Sequence, residues 1–368
     1  MEEKMSRKIS LIAILMMALM VLFAVSCEGP VGPAGEMGLT GDAGADGAPG
    51  ADAQVTCLSC HNDDSMEDNK IELARAQHGI GDLAVDYAGG RSGCAQCHSH
   101  EGFVEFANTG GVAANFLTPS AWECSTCHGL HRTFTETLQD SVDYALRLTD
   151  AVPFYYNTDT ETATMDIDPS SNLCINCHQA RTNIIGSMWD GSSATATITS
   201  THAGPHHGPQ ANLLLGVNGS IATGTPFAPH LEVGCVGCHM YETTGDDEIN
   251  VNGGHTFWPA AEKCNSCHTG PDVVFAGSHG GDDFEHEGFY DYKDFQSDIA
   301  LKLEELAGLL VTAGVFDSTH TVIPATYTAD QYKAFWNFTY IAEDRSHGVH
   351  NPYYAESLLD ESIASLTP

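Results

Sequence analysis

"WECSTCHGLH", residues 122–131, places two cysteines and two histidines within eight positions. Cys124 and Cys127 are separated by two residues, His128 follows at once, and His131 comes three residues later. A bare C-x-x-C fits a zinc site, a thiol–disulfide couple or a haem anchor. The adjoining histidine separates these readings. C-x-x-C-H is the attachment signal of c-type haem: two sulfurs form thioethers to the porphyrin, and the histidine becomes the proximal iron ligand.

The motif occurs six times. Cys57, Cys60 and His61 form the first copy, Cys94, Cys97 and His98 the second, and Cys124, Cys127 and His128 the third. Cys174, Cys177 and His178 form the fourth, Cys235, Cys238 and His239 the fifth, and Cys264, Cys267 and His268 the sixth. A set of zinc ribbons would use C-x-x-C pairs but needs no histidine at that place. Histidine is 19 of 368 residues, so six coincidental placements have a probability on the order of 10⁻⁸. The motifs use 12 of the 13 cysteines. No disulfide can then form without sacrificing a haem or using Cys27, and six covalent haems c take the role that disulfides play in small exported proteins.

Six proximal histidines leave 19 − 6 = 13 others, at 78, 100, 131, 202, 206, 207, 230, 255, 279, 286, 320, 347 and 350. Methionine is the other common sixth ligand and raises the potential. After residue 27 only Met37, Met66, Met165, Met188 and Met240 are available. The balance predicts bis-histidine haems of low potential. His131 lies too close to His128 to cross to the opposite face of the same ring, so it is expected to cap a neighbouring haem.

The chain begins with Lys4, Arg7 and Lys8, followed by "ISLIAILMMALMVLFAVSC" at 9–27. A charged start and an apolar run outline an export signal over residues 1–26. The run is also long enough for a membrane helix, the rival reading. "AVSC" resembles a bacterial lipobox, which implies lipidation of Cys27, although Ala24 departs from the usual leucine. Glu28 is not the aspartate associated with inner-membrane retention, which points to the outer membrane or cell surface. Haem c attachment outside the cytoplasm requires export in any case. Glycine then falls at every third position from 29 to 50, the spacing that the crowded axis of a collagen triple helix demands. With prolines only at 30, 33 and 49, residues 27–53 read either as a flexible spacer or as a trimerising stalk.

The formal charge of −35 disfavours nucleic acid and anionic lipid surfaces as partners. Acidic clusters at 245–248 and 280–287 carry calcium-type ligands without a defined loop pattern, and they read as solvated loops. Between residues 54 and 290 the motifs start 29 to 61 residues apart. That leaves little room for a conventional core, and the expected fold is mainly irregular, with short α-helices wrapped around six haems and little β. Residues 291–368 hold no cysteine. Ile299, Leu303, Leu306 and Leu310 repeat at helical spacing. Thr328 to Gln331 reads as a capping box, opening a helix that carries Tyr332, Phe335, Trp336 and Tyr340. Asn351-Pro352 reads as the start of a third helix through Leu366. This C-terminal helical segment is expected to pack on the haem domain.

The segments "GRSGCAQCHSHEGF", "CSTCHGLH", "HHGPQANLLLG", "CVGCHM", "GGHTF" and "SHGVHNPYYAESLLDESI" resemble those of multihaem c-type cytochromes of metal-reducing bacteria, including types that form extracellular filaments. The likeness spans about residues 54 to 368. It implies His78, His131, His207, His230, His255 and His350 as distal ligands, with His206 competing with His207 and His100 left at the surface. It also implies long-range electron transfer at the cell envelope, with redox proteins or extracellular acceptors as partners, rather than catalysis. Two other readings stand beside it: a terminal reductase of a small oxyanion such as nitrite, which needs an open iron position, and a haem-filled subunit that self-assembles as a trimer or filament.

Overall fold

Cysteines three apart share one face of a helix, and each of the five motifs that the structure describes has its first cysteine on a helix. The computed structural model describes residues 63–130, 145–155, 164–220, 224–242, 252–269 and 294–367. Cys27, the glycine-repeat segment, Cys57, Cys60, His61, His131 and both acidic clusters lie outside the described residues.

α1 (Asp63–Arg75) precedes α2 (Ser92–His98), which carries the second motif, and α3 (His100–Thr109) follows it. Ser99 caps α3, its side chain accepting from the Gly102 N–H at 3.2 Å. The third motif forms the single turn α4 (Cys124–Cys127). α5 (Pro169–Ile175) carries Cys174, with Cys177 and His178 just past its end; Asp168 caps it by accepting from the Ser170 and Ser171 N–H groups, and Pro169 takes the first turn, where a missing N–H costs nothing. α6 (Gln210–Leu215) follows. α7 (Ala228–His239) carries the fifth motif and α8 (Ala261–Cys267) the sixth. In the third, fourth and sixth motifs the histidine N–H donates back to the carbonyl of the first cysteine, at 2.9, 3.0 and 2.8 Å. One helical turn thus sets both sulfurs and the imidazole at fixed angles.

Gly234 divides α7. Its backbone is left-handed (φ 71°), and a Cβ there would stand 2.6 Å from Ser171 Oγ and 2.7 Å from Asp168 Oδ2. Only glycine allows both the torsion and the approach of α5. The break sends His230, in the first half of α7, and His239, at its end, toward different partners.

The C-terminal region supplies α9 (Phe295–Thr312), α10 (Ala329–Asp344) and α11 (Pro352–Leu366). Thr328 and Gln331 form the expected reciprocal capping box, and Asn351 caps α11 by accepting from the Tyr354 N–H. Ile299, Leu306 and Leu310 are buried, as are Tyr332, Phe335, Trp336 and Tyr340. The bulky rings direct their polar ends at the preceding loops. Tyr332 donates to the Ile184 carbonyl at 2.9 Å, Trp336 to Asn218 at 2.7 Å and Tyr340 to Val217 at 2.7 Å. These bonds satisfy groups that would be costly to bury alone.

Sheet is sparse. β1 (Val152–Pro153) pairs antiparallel with β2 (Thr164–Met165), and β3 (Thr195–Ile198) with β4 (Ala325–Thr328), in the register Thr195↔Thr328 to Ile198↔Ala325. Ile184, Ala196, Ile198 and Leu213 enter the same apolar core as the C-terminal helices. The helical segment is therefore the main seat of the core, in which the loops between the fourth and fifth motifs take part. Met165 and Met188 belong to the apolar clusters. Among the described residues no helix is long and apolar enough to cross a membrane.

Candidate haem-ligand centres

Each of the five described motif histidines faces a second histidine. The ring centroids of His178 and His78 stand 6.0 Å apart, His98 and His206 6.1 Å, and His268 and His230 6.2 Å. His239 and His350 are 6.3 Å apart, and His128 and His255 6.4 Å. Two imidazoles bound trans on one metal, with about 2.0 Å from nitrogen to metal and about 1.15 Å from nitrogen to ring centre, bring their centroids roughly 6.3 Å apart. The interplanar angles run from 30° to 73°; rotation about a shared nitrogen–metal–nitrogen axis leaves that angle free. Zinc would need four such groups together, and among the described residues no three His, Cys, Asp or Glu side chains converge on a metal position. All ten described motif cysteines are free thiols. The donor set therefore fits c-type haem, with two sulfurs and one imidazole from each motif and a remote histidine opposite.

The other ring nitrogen is anchored in several of these pairs. His239 Nδ1–H donates to the Phe257 carbonyl at 2.8 Å and His230 Nδ1–H to Val349 at 2.7 Å. His178 Nδ1–H donates to Gln210 Oε1 at 3.2 Å, and His350 Nδ1–H to Asp344 Oδ1 at 2.7 Å. A fixed Nδ1–H leaves Nε2 as the lone-pair nitrogen, the arrangement that orients metal-binding histidines. His206 Nε2 is buried with no hydrogen-bond partner, an orphaned acceptor that a metal would satisfy. His78 is held edge-on between Phe257, at 4.8 Å, and Trp122, at 5.4 Å.

The electrostatics keep most of these rings neutral, as ligation requires. Burial, helped by the charges of His178 and His239, pushes His78 down to about 3. Burial likewise takes His239 and His206 to about 4, and it lowers His98, His178, His230 and His255. His350 is the exception. Burial acts to lower it, but the charge and hydrogen bond of Asp344 together outweigh burial and raise it.

The structure differs from the sequence reading at the double histidine. His206, with a left-handed backbone (φ 73°), turns its ring to His98. His207 is exposed and turns the other way, its Nδ1 2.6 Å from Glu343 Oε2. His206 thus takes the position expected of His207, because consecutive residues flanking that torsion cannot present both rings to one site. His100, expected at the surface, is half-buried with Nδ1 2.7 Å from Thr126 Oγ1. Asp344 and Glu72 gave no sign in the sequence, and Phe257 and Gln210 lay inside the quoted segments "GGHTF" and "HHGPQANLLLG" without being singled out. The nearest signal was the position of Phe257 directly after "GGHT".

The motifs adjoin one another. Cys97 Sγ lies 3.8 Å from the Asn176 carbonyl and Cys177 Sγ 3.9 Å from that of Gln96, which joins the second motif to the fourth. Cys174 stands beside Cys235, and the Cys235 N–H donates to Ser171 Oγ at 2.9 Å, which joins the fourth to the fifth. The helix of the fifth motif also carries His230, which faces His268 of the sixth. Glu72 of α1 accepts from the His255 N–H at 2.8 Å, tying α1 to the histidine that faces the third motif.

No protein-family model and no curated protein matches the chain. Among solved structures it is similar to the outer cell wall cytochrome OcwA, with a TM-score of 0.50 and 19% identity over 81% of this chain. It covers 50% of that cytochrome, about half its length. An undecahaem cytochrome from the S-layer of Carboxydothermus ferrireducens matches at a TM-score of 0.44 with 17% identity, over 79% of this chain and 40% of that one. At such identity the likeness to OcwA is one of fold: short helices and irregular segments with little sheet, arranged as in a cytochrome.

Proposed function

We propose that this chain is an exported c-type cytochrome that passes electrons at the cell envelope through six bis-histidine haems. The observation that carries the reading is the set of five imidazole pairs at 6.0 to 6.4 Å, each joining a motif histidine to a histidine from elsewhere in the chain. Haem iron supplies a reversible one-electron couple. The chain contributes the rest. Cys94 and Cys97, Cys124 and Cys127, Cys174 and Cys177, Cys235 and Cys238, and Cys264 and Cys267 fasten five haems, and Cys57 and Cys60 fasten the sixth. His98 and His206, His128 and His255, His178 and His78, His239 and His350, and His268 and His230 would hold the five irons. His61 and His131 lie outside the described residues; His131, which the resemblance implies as a distal ligand, would serve the sixth haem or another haem than its own.

The row of adjoining motifs, second to fourth to fifth to sixth, supports transfer over a distance, since hopping needs neighbouring centres. No described motif histidine is without a facing imidazole, so nothing here favours an open iron position and an oxyanion reductase. Lipidation at Cys27, a glycine-repeat spacer at 29–52 and an acceptor outside the cell complete the proposal.

The test is mass spectrometry and visible spectroscopy of the exported chain. Six haem additions and a low-spin ferric spectrum unmoved by cyanide or nitrite are expected. Four or fewer haems, from a strain with intact haem attachment, would refute the assignment. A cyanide-binding haem in the unmutated protein would return the reductase reading to first place.

A further inference from the structure

The haem sites of the fourth and fifth motifs adjoin, yet their ligands lean on different chemistry. His178 gives its Nδ1–H to the neutral amide oxygen of Gln210. Gln210 Nε2 in turn donates to the Asp344 carbonyl at 3.1 Å, which fixes the amide so that oxygen faces His178. His78 rests against aromatic rings. At the fifth site His239 leans on a neutral peptide carbonyl, but His350 gives its Nδ1–H to a carboxylate, Asp344 Oδ1, at 2.7 Å. The Asp344 side chain has no exposure to solvent. Its other oxygen, Oδ2, accepts from the Ser346 N–H and the Ser346 hydroxyl. Three donors therefore hold a carboxylate in a dry setting, at the C-terminus of α10.

A carboxylate that accepts the ring N–H makes the imidazole a stronger donor to a metal. Held where water does not screen it, the same negative charge favours the more positive metal state. Both effects favour ferric over ferrous iron. An amide or peptide oxygen does either more weakly.

Resting on the proposed ligand pairs, we infer that Asp344 tunes the His239/His350 haem to a lower potential than the adjoining His178/His78 haem. Electrons entering at the fifth site run downhill to the fourth, and Asp344 gives the row a direction.

The test is a spectroelectrochemical titration of the exported, haem-loaded full chain, with electron paramagnetic resonance to follow spin states. Asp344→Asn keeps an oxygen for His350 and removes the charge. One of the redox components should rise, with at least a tenfold change in the ratio of reduced to oxidised haem at fixed potential, about 59 mV for a one-electron couple. The others should stay in place. Ser346→Ala removes one donor from Asp344 Oδ2, leaving a stronger acceptor for His350, and should lower the same component by a smaller amount. If Asp344→Asn does not accumulate as holoprotein, the direction of the Ser346→Ala shift decides. Unchanged potentials with six low-spin haems would overturn the inference. So would a new high-spin haem in Asp344→Asn, because Asp344 would then merely hold His350 in place. His350→Ala, run alongside, separates the two levels. If it opens one haem to cyanide, the ligand reading stands whatever Asp344 does; if every haem stays closed, the ligand reading and the inference fall together.

Discussion

The motif-bearing region and the C-terminal helices keep their shape by different means. In the apolar core that gathers α9, α10 and α11, twenty-one residues are buried together, among them Tyr332, Phe335, Trp336 and Tyr340. The cluster nearest the motifs has seven, from Val152 to Leu214. Around it stand half-buried imidazoles and cysteines that range from half-buried to exposed. One region is an ordinary side-chain core. The other positions donor atoms in pairs and brings little apolar surface of its own. The contrast teaches that the motif region is built as a set of brackets, and on the proposed function its stability would come from what the brackets hold.

The largest expected effect tests that contrast directly. With all twelve motif cysteines replaced by alanine, haem attachment is lost, and the motif-bearing stretches should no longer fold. Limited proteolysis should cut first within residues 63–180 and 228–268, while the C-terminal helices from Phe295 to Leu366 survive longest. An apoprotein as resistant as the holoprotein throughout would break the comparison.

Next comes the core itself. Trp336→Ala removes a fully buried ring and its bond to the Asn218 carbonyl. The expected loss is about 3–5 kcal/mol, read as a lower denaturation midpoint with haem number unchanged. A loss of haems in this variant would mean that the two regions fold as one.

Gly234→Ala lies between the regions in effect. It forces a side chain onto φ 71° and against Ser171 and Asp168. A cost of about 1–3 kcal/mol is expected, seen in chemical denaturation. The His230/His268 and His239/His350 centres should feel it before the others, because the bend at Gly234 aims both halves of α7. Equal disturbance of all haems would deny that role.

The same contrast explains what was legible in the sequence. The C-terminal helices announced themselves because side-chain spacing and caps determine them: the box at Thr328 and Gln331 and the Asn351-Pro352 start stand where the residues imply. The motifs were legible as well, since Cys-x-x-Cys-His is local. The pairing was not. His78 meets His178 and His128 meets His255 through contacts across a hundred residues, which no local period encodes. The groups that hold the rings were hidden for another reason. Phe257 acts through its carbonyl on His239, and any residue type has a carbonyl. Asp344 is one acid in a chain whose Asp and Glu total 49, so charge alone could not single it out.

The finest test concerns two adjacent residues. His206 and His207 have the same side chain, and sequence reasoning preferred the second. Geometry prefers the first: His206 Nε2 is buried without a partner, 6.1 Å separates its ring from that of His98, and His207 is 66% exposed and engaged with Glu343. His206→Ala should leave six haems attached, because thioethers do not depend on the distal ligand, and should open one haem to cyanide or carbon monoxide. His207→Ala should open none. Its ion pair with Glu343 is solvent-screened on the histidine side, so its loss should cost about 0–1 kcal/mol. That is the smallest effect in the series, and it should appear in the denaturation midpoint with the haem spectrum unchanged. If His207→Ala opens the haem and His206→Ala does not, the left-handed turn at His206 presents the wrong ring, and the motif region is less rigidly bracketed than the five matched separations imply. If both variants open a haem, the two histidines serve two different centres.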